Sequence, residues 1–486
     1  MARFAFWKPK ASDPDTLNLA GGRAHALSPK LEFATALMTT FTTDTFYASA
    51  DAQVARIAAL TRALEDPLFA AKAAVFTRSR NGLRSVSHVV AGELAARPDV
   101  KGKPWLRTFF RAVAQRPDDV TETLAYLKAS GNPQLRKLSN ALKRGFGDAL
   151  AGFDAYQLAK YRRADRDPSL VDAVNLLHPR STPALQALMT GALAPAQTWE
   201  TRLSEAGRTA AAQGLSEQAK ADLKGEAWVE LLKARKLGYL ACLRNLRNIA
   251  EQAPTAFPLA LKFLTDPRQV EKSKVLPFQI LTAIEAVKGS AADTPPVHRA
   301  LDEALELSLM NVPAFEGRTL IAVDVSGSMA GRPVRIASVL AAVLYKSQAH
   351  ADVILFDTVT KALKLHPRDS LTTLASTIAK EAMGGGTDFR VIFKDLKRAY
   401  DRILILSDMQ AWVGHQTPAA ELAAYRKKFK ADPRIFSFDL TGHGSIQFPE
   451  AKVFALAGFT DAVLGVLKEL EQDPAALVKA IEAVAL

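Results

Sequence analysis

The stretch Arg318-Thr-Leu-Ile-Ala-Val-Asp-Val-Ser-Gly-Ser-Met329 decides the fold of the C-terminal third of this 486-residue chain. Its first half, Arg318 to Val323, is a nearly continuous apolar run, the pattern of a strand buried on both faces of a parallel sheet. Its second half is small and polar, as in a tight loop leaving such a strand. Working outward, the patterns predict a helix over 333–348 and a strand over 353–356. Helices follow over 371–381 and 389–400, then a strand over 403–406, a helix over 419–430, a strand over 435–440 and a last helix from about Thr460. Strands alternating with helices make a doubly wound parallel sheet. Ligands of such sheets lie beyond the carboxyl ends of the strands.

Three loops fall there. Asp324, Ser326 and Ser328 alternate along the first; Gly384-Gly-Gly-Thr-Asp388 supplies Thr387; Ser407-Asp408 follows the strand at 403–406. A carboxylate with hydroxyls is a hard oxygen donor set, suited to Mg²⁺ first and to Mn²⁺ or Ca²⁺ as alternatives. Asp388 is open to a second reading, as the cap of the helix after it. The set resembles the metal-ion-dependent adhesion site of von Willebrand factor A domains. By that resemblance Asp324, Ser326 and Ser328 match the Asp-x-Ser-x-Ser element, Thr387 the threonine and Asp408 the final aspartate. The resemblance implies a docking device whose cation leaves one position open for an acidic group of a partner.

Upstream, from about residue 28 to 310, apolar residues recur at helical spacing, as in Ala34, Leu37, Met38 and Phe41, or Leu106, Phe109, Phe110 and Val113. Breaks fall at prolines, among them Pro67, Pro98, Pro117, Pro133, Pro168, Pro179, Pro183 and Pro267. Amphipathic helices of modest length joined by short turns predict stacked, HEAT-like helical repeats over 1–312, with the α/β domain over 313–486. The fold class expected is therefore α plus α/β.

Leu240-Ala-Cys-Leu-Arg-Asn-Leu-Arg-Asn248, Val275-Leu-Pro-Phe-Gln-Ile-Leu-Thr-Ala-Ile284 and the junction running into Met329 together resemble the TROVE family of Ro autoantigens and their bacterial relatives. The resemblance implies a helical-repeat ring or crescent joined to a von Willebrand A domain. It also implies a ribonucleoprotein role: Y-like small non-coding RNA on a basic outer surface, single-stranded ends of misfolded RNA in the hole, and an exoribonuclease as a partner in RNA quality control. A ring completed within one chain implies a monomer. Nothing in the sequence pairs a nucleophile with a base, so no enzyme is expected. Two other readings stand beside this one: a metal-dependent protein-interaction module, and an accessory subunit of an AAA-type ATPase.

Charge points independently to a polyanion. Residues 1–312 carry 42 lysines and arginines against 31 aspartates and glutamates, residues 313–486 carry 21 against 19, and the whole chain is +13. Arg78, Arg80, Arg84 and His88 cluster with no acid in sequence before Glu93, which makes them candidate phosphate contacts. Arg244 and Arg247, on a helix expected over 238–250, are open to phosphate or to a neighbouring helix's acids. Lys272 and Lys274 complete the candidate RNA set. Arg162, Arg163 and Arg166 alternate with Asp165 and Asp167 and read as self-paired. Trp105, Phe109, Phe110 and Trp228 sit at core spacing and are assigned to packing. Cys242, the single cysteine, reads as a small buried apolar residue. No run of about 18 apolar residues and no apolar leader are present, so a cytoplasmic protein without a membrane partner is expected.

Overall fold

The structure, a computed structural model, describes residues 16–17, 23–26, 28–39, 50–80, 82–130, 138–163, 165–196, 198–381, 384–410, 418–440, 445–446, 453–457 and 476–486. Strands are β1 (Thr16–Leu17), β2 (Arg23–Ala26), β3 (Thr319–Asp324), β4 (Ala351–Phe356), β5 (Thr360–Leu363), β6 (Arg402–Ser407), β7 (Arg434–Asp439), β8 (Ser445–Ile446) and β9 (Val453–Ala457). Two compact units emerge, one spanning Glu65–Pro313 and one holding the large sheet. The unit with the sheet also takes in the described residues before Glu65, which the sequence pattern alone assigns to the helical part.

The physical reason is pairing between strands far apart in the chain. β2 pairs antiparallel with β8, and α1 (Pro29–Thr39), which begins just after β2, packs on β9. Phe33, Ala34 and Leu37 on α1 are wholly buried. α2 (Ala50–Ala63) packs on α1 in turn.

The helical unit runs through α3 (Pro67–Arg80), α4 (Ser85–Ala96), α5 (Trp105–Val113), α6 (Pro117–Ala129), α7 (Asn140–Gly152), α8 (Ala155–Tyr161), α9 (Leu170–Leu177) and α10 (Pro183–Met189). It continues with α11 (Trp199–Ala212), α12 (Glu217–Lys233), α13 (Tyr239–Arg244), α14 (Leu246–Gln252), α15 (Phe257–Leu264), α16 (Pro267–Ser273), α17 (Pro277–Val287) and α18 (Pro295–Ser308). Pro67, Pro117, Pro183 and Pro267 each open a helix, where a missing N–H costs nothing. The Asn132-Pro133 break lies outside the described residues. The helix expected over 238–250 is two: Asn245 leaves helical geometry (φ −104°, ψ 12°), and its side-chain amide donates to the Ala241 carbonyl at 2.9 Å.

α5 and α7 show how small residues set the packing. Phe109, Phe110 and Phe146 form a wholly buried aromatic group with ring centroids 5.1 and 5.2 Å apart. Gly145 lets the helices close on it: a Cβ there would lie 2.5 Å from the Arg107 carbonyl oxygen and 2.6 Å from Phe110 Cβ. We expect Gly145→Ala to destabilise by about 1–3 kcal/mol through overpacking. Gly152→Ala at the end of the same helix, where the added methyl meets nothing within 4 Å, is expected to be neutral or slightly stabilising. Urea melts of both variants measure the difference.

The second unit is built on a six-stranded sheet of order β5-β4-β3-β6-β7-β9, parallel except for the antiparallel edge strand β5. The long helix α19 (Arg332–Ser347) packs on β3, β4 and β6. Leu320 and Ala322 of β3 join Phe356, Phe389, Phe393 and Tyr425 in a core cluster. α20 (Leu371–Lys380), α21 (Val391–Lys394), α22 (Ala419–Phe429) and α23 (Ala476–Glu482) complete the described helices. The helix expected over 389–400 is only the single turn α21, because tertiary bonds hold the end of that segment: Tyr400 N donates to Tyr425 Oη at 2.8 Å, and Tyr400 Oη to Asp352 at 2.9 Å. The helix expected from Thr460 begins outside the described residues. Strand order reverses between β3 and β6, so the crevice of this sheet opens where Asp324 and Asp408 stand.

Candidate functional site

Parallel register brings together the first half of the candidate cation site. Val323 is paired with Leu406, which sets the ends of β3 and β6 side by side. Ser407 Oγ donates to Asp324 Oδ2 at 2.5 Å, and the Ser326 amide donates to Asp324 Oδ1 at 2.9 Å. The Ser326 and Ser328 hydroxyls lie 3.4 Å apart. The glycine loop is tied to the same turn. Gly327 N donates to the Gly385 carbonyl and Gly384 N to the Val325 carbonyl, both at 2.9 Å.

Asp324 and Asp408 are fully buried, and Ser326 and Thr387 nearly so. Burial pushes the Asp324 carboxyl up to about 7, and the nearby charge of Asp408 adds to it. Thr387 Oγ1 is buried without a hydrogen-bond partner among the described residues. A hydroxyl in that state suits an electron-pair acceptor such as a cation. Among the described residues no three His, Cys, Asp or Glu side chains converge, so any ion here relies on hydroxyls for part of its shell. The donor set fits a hard divalent cation.

Asp388 does not cap α21, whose N-cap is Arg390 without a side-chain cap bond; it pairs with Arg390 instead. Its carboxylate accepts from the Arg390 amide at 2.9 Å and from the Arg390 guanidinium at 2.7 Å, at the start of α21. Two neighbours carry no motif that sequence reasoning could find. Ser407 orients Asp324. Asp357, buried at the end of β4, forces glycine at 385, where a Cβ would lie 2.5 Å from its Oδ2. Their signal is positional only, each at or just past the end of a strand beside β3.

The cluster at 78–88 differs from expectation. Its counter-charges come from α6, 31 to 41 residues on. Asp119, fully buried, accepts from Arg78 at 2.8 Å, Arg84 at 3.0 Å and His88 at 3.0 Å, and from the amides of Gln115 and Arg116. Burial alone would raise this carboxyl, but hydrogen bonds from His88 and Arg78 and the Arg78 charge hold it well below the usual carboxylate range. Arg84 also binds Asp118 at 2.7 Å. Arg78 and His88 are therefore internal struts joining α3, α4 and α6 rather than phosphate contacts. Arg80 is exposed at the end of α3.

Arg162, Arg163 and Arg166 differ too. Arg166 bridges to Glu122 at 3.2 Å and Asp167 to Lys128 at 2.5 Å, so the local acids do not neutralise this group. Arg162 and Arg163 are exposed and form no ion pair among the described residues. They border a cleft of about 490 Å³ lined by six cationic side chains (Arg84, Arg116, Lys160, Arg162, Arg163, Arg166) against three carboxylates (Asp118, Glu122, Glu200). The Arg116 guanidinium lies over the Tyr161 ring at 4.1 Å. Lys160 and Glu200 also line an adjoining cleft of about 590 Å³, where Tyr156 is 47% exposed and Trp199 stacks on the buried Trp228.

The sequence profile of the TROVE domain matches residues 34–201 and 192–306, more than half of the chain. The chain belongs to the TROVE family. The profile of the Ro60 vWA domain matches residues 318–471. RNA-binding protein RO60 of Deinococcus radiodurans is 24% identical over 519 residues, covering 93% of this chain and 94% of that protein. Telomerase protein component 1 of Rattus norvegicus shares a shorter stretch, 31% identical over 99 residues, or 20% of this chain and 4% of that protein. The fold is that of the Deinococcus radiodurans RO (RSR) crystal structure, with a TM-score of 0.62 at 22% identity over 93% of this chain and 99% of that one.

Within the TROVE part, the remaining candidates are scattered. Lys272 and Lys274 stand exposed at the end of α16, Lys274 in the left-handed region (φ 52°). Arg244 and Arg247 are exposed and border a separate small groove. Cys242 is wholly buried, and burial pushes its thiol up to about 12, so it behaves as the small apolar residue expected. Phe109, Phe110 and Trp228 are wholly buried, while Trp105 is half-buried. Among the described residues no helix is long and apolar enough to cross a membrane.

Proposed function

We propose that this TROVE protein is a non-enzymatic RNA-binding scaffold for a Y-like small non-coding RNA and for single-stranded ends of structured or misfolded RNA. The observation that carries this reading is the cleft bordered by Arg162 and Arg163, two exposed guanidinia without a protein counter-charge among the described residues. Planar forked donors suit phosphate oxygens. The exposed Tyr156 ring beside the cleft offers a face on which an unpaired base stacks without sequence preference. The excess of positive charge in residues 1–312 and the RNA-binding name of the Deinococcus relative point the same way. An exoribonuclease remains the proposed partner in RNA quality control, with the chain acting as a monomer.

In the second unit, Asp324, Ser326, Ser328, Thr387 and Asp408 are the residues we propose to hold a divalent cation, Mg²⁺ foremost. When bound, the ion supplies positive charge that an acidic group of a partner protein is drawn to. The chain's own part is to bury and orient two carboxylates whose mutual repulsion the ion relieves.

The test is binding of a hairpin RNA with a single-stranded 3′ tail across a salt series, comparing wild type, Arg162→Ala/Arg163→Ala and Arg80→Ala. Each lost phosphate contact lowers the slope of log affinity against log salt by about 0.7–0.9. The double variant is expected to lose roughly 1.5 units of slope, and Arg80→Ala little. Unchanged affinity and slope in the double variant would remove the cleft from the RNA interface. No binding by wild type at low salt would remove the RNA reading itself.

A further inference from the structure

A third concavity lies apart from the metal loops and the basic cleft. α13, α14 and α17 enclose a groove of about 210 Å³. Leu240, Leu246, Ala286 and Val287 are among its walls, and Arg244 and Arg247 stand on the same rim. The break at Asn245 shapes this rim, since it ends one short helix at Arg244 and starts the next at Leu246. Both guanidinia are exposed, and neither forms an ion pair among the described residues.

The combination restricts what fits. The volume is below the roughly 300–1,000 Å³ of small-molecule sites. It is suited to a few aliphatic carbons rather than a whole cofactor. The walls hold no aromatic ring, so a nucleobase has nothing to stack on, whereas base stacking is what single strands usually gain from a protein surface. An RNA backbone would engage the arginines and leave Leu240 and Ala286, the part of the apolar lining that reaches solvent, in water. A peptide with an aliphatic side chain between carboxylates uses both: apolar area is removed from water at about 25 cal/mol per Å², and each carboxylate meets a guanidinium fork.

We infer that this groove docks a short segment of a partner protein in which aliphatic side chains alternate with carboxylates. The docking site is independent of the RNA reading, because the cleft at Arg162 and Arg163 is lined by other elements.

The experiment measures fluorescence anisotropy of a labelled Asp-Leu-Asp-Leu-Asp-Leu-Asp peptide on the full chain. The variants are Arg244→Glu/Arg247→Glu, which reverses the rim charge, and Ala286→Glu, which places a charge in the exposed part of the groove. Thermal melts establish that both stay folded. Saturable binding by wild type is expected, weakened about tenfold or more in each variant. A Lys-Leu-Lys-Leu-Lys-Leu-Lys peptide is expected to bind the double-glutamate variant better than wild type, a reversal that general unfolding cannot produce. The inference is overturned if wild type does not bind the acidic peptide, if both variants bind it unchanged, or if an alanine-for-leucine peptide binds equally well. It is also overturned if a single-stranded uridine decamer displaces the peptide and loses affinity in the same variants, which would make the groove part of an RNA surface.

Discussion

Asp119→Asn is expected to destabilise the helical unit by about 3–5 kcal/mol, the range for breaking a buried ion pair from one side. The substitution leaves the buried Arg78 guanidinium, His88 and half-buried Arg84 facing a neutral amide that cannot accept all of their donors. It also weakens the acceptor for the Gln115 and Arg116 amides at the start of α6. The effect depends on pH with a definite sign. The folded carboxyl lies below its unfolded value of about 3.9, so its contribution is present above that value and disappears as pH falls through the folded one. Urea melts from pH 7 down to pH 3 should show a wide gap between wild type and variant at neutral pH that narrows in acid. A gap under about 1 kcal/mol at pH 7 would mean that the network is not a strut. Arg78→Met/Asp119→Leu, which also removes the Arg78 charge, is expected to recover only the part of the loss due to Arg78, because Arg84, His88 and the Gln115 and Arg116 amides still lack their acceptor.

Asp324→Asn is expected to act in opposite directions with and without divalent cation. Without it, the buried Asp324 carboxylate is disfavoured first by burial and then by Asp408, and neutralising it removes both penalties. The metal-free variant should therefore melt at or above the wild-type temperature. Added Mg²⁺ is expected to stabilise wild type by RT ln(1 + [L]/Kd), about 2.7 kcal/mol at a hundredfold excess over Kd, and to leave the variant unmoved. Thr387→Val, which replaces a buried hydroxyl that has no hydrogen-bond partner among the described residues, should also lose the response at little cost to the metal-free fold. Thermal melts with Mg²⁺, Mn²⁺ and Ca²⁺ measure this. An equal rise in all three proteins would place the ion elsewhere.

The four central parallel strands of the sheet unit, and the polar loops that follow β3 and β6, are legible in the sequence, whereas the edge strands β5 and β9 are not. The legible features depend on short-range pattern: an apolar run is a buried strand wherever it lies, and a polar turn directly after it must stand at the strand's carboxyl end. Asp324, Ser326 and Ser328 are thus placed by sequence pattern alone. The same logic finds helices at Pro67, Pro117, Pro183 and Pro267, and assigns Phe109, Phe110 and Trp228 to the core.

The pairing of charges, by contrast, depends on how the helices pack. Arg78, Arg84 and His88 have no nearby acid along the chain, yet Asp118 and Asp119 reach them from a helix 31 to 41 residues on; Arg162 and Arg163 lie among acids, yet those acids face away to Lys128 or leave the arginines unpaired. Local charge pattern misreads both clusters for one reason. An ion pair costs its partners' hydration and is worth forming wherever packing brings opposite charges together, so the partner is chosen by distance in space. The same holds for the first helix. Its hydrophobic face is legible as a face, but that it covers β9 rather than another helix follows from the pairing of β2 with β8, a contact between residues more than four hundred positions apart.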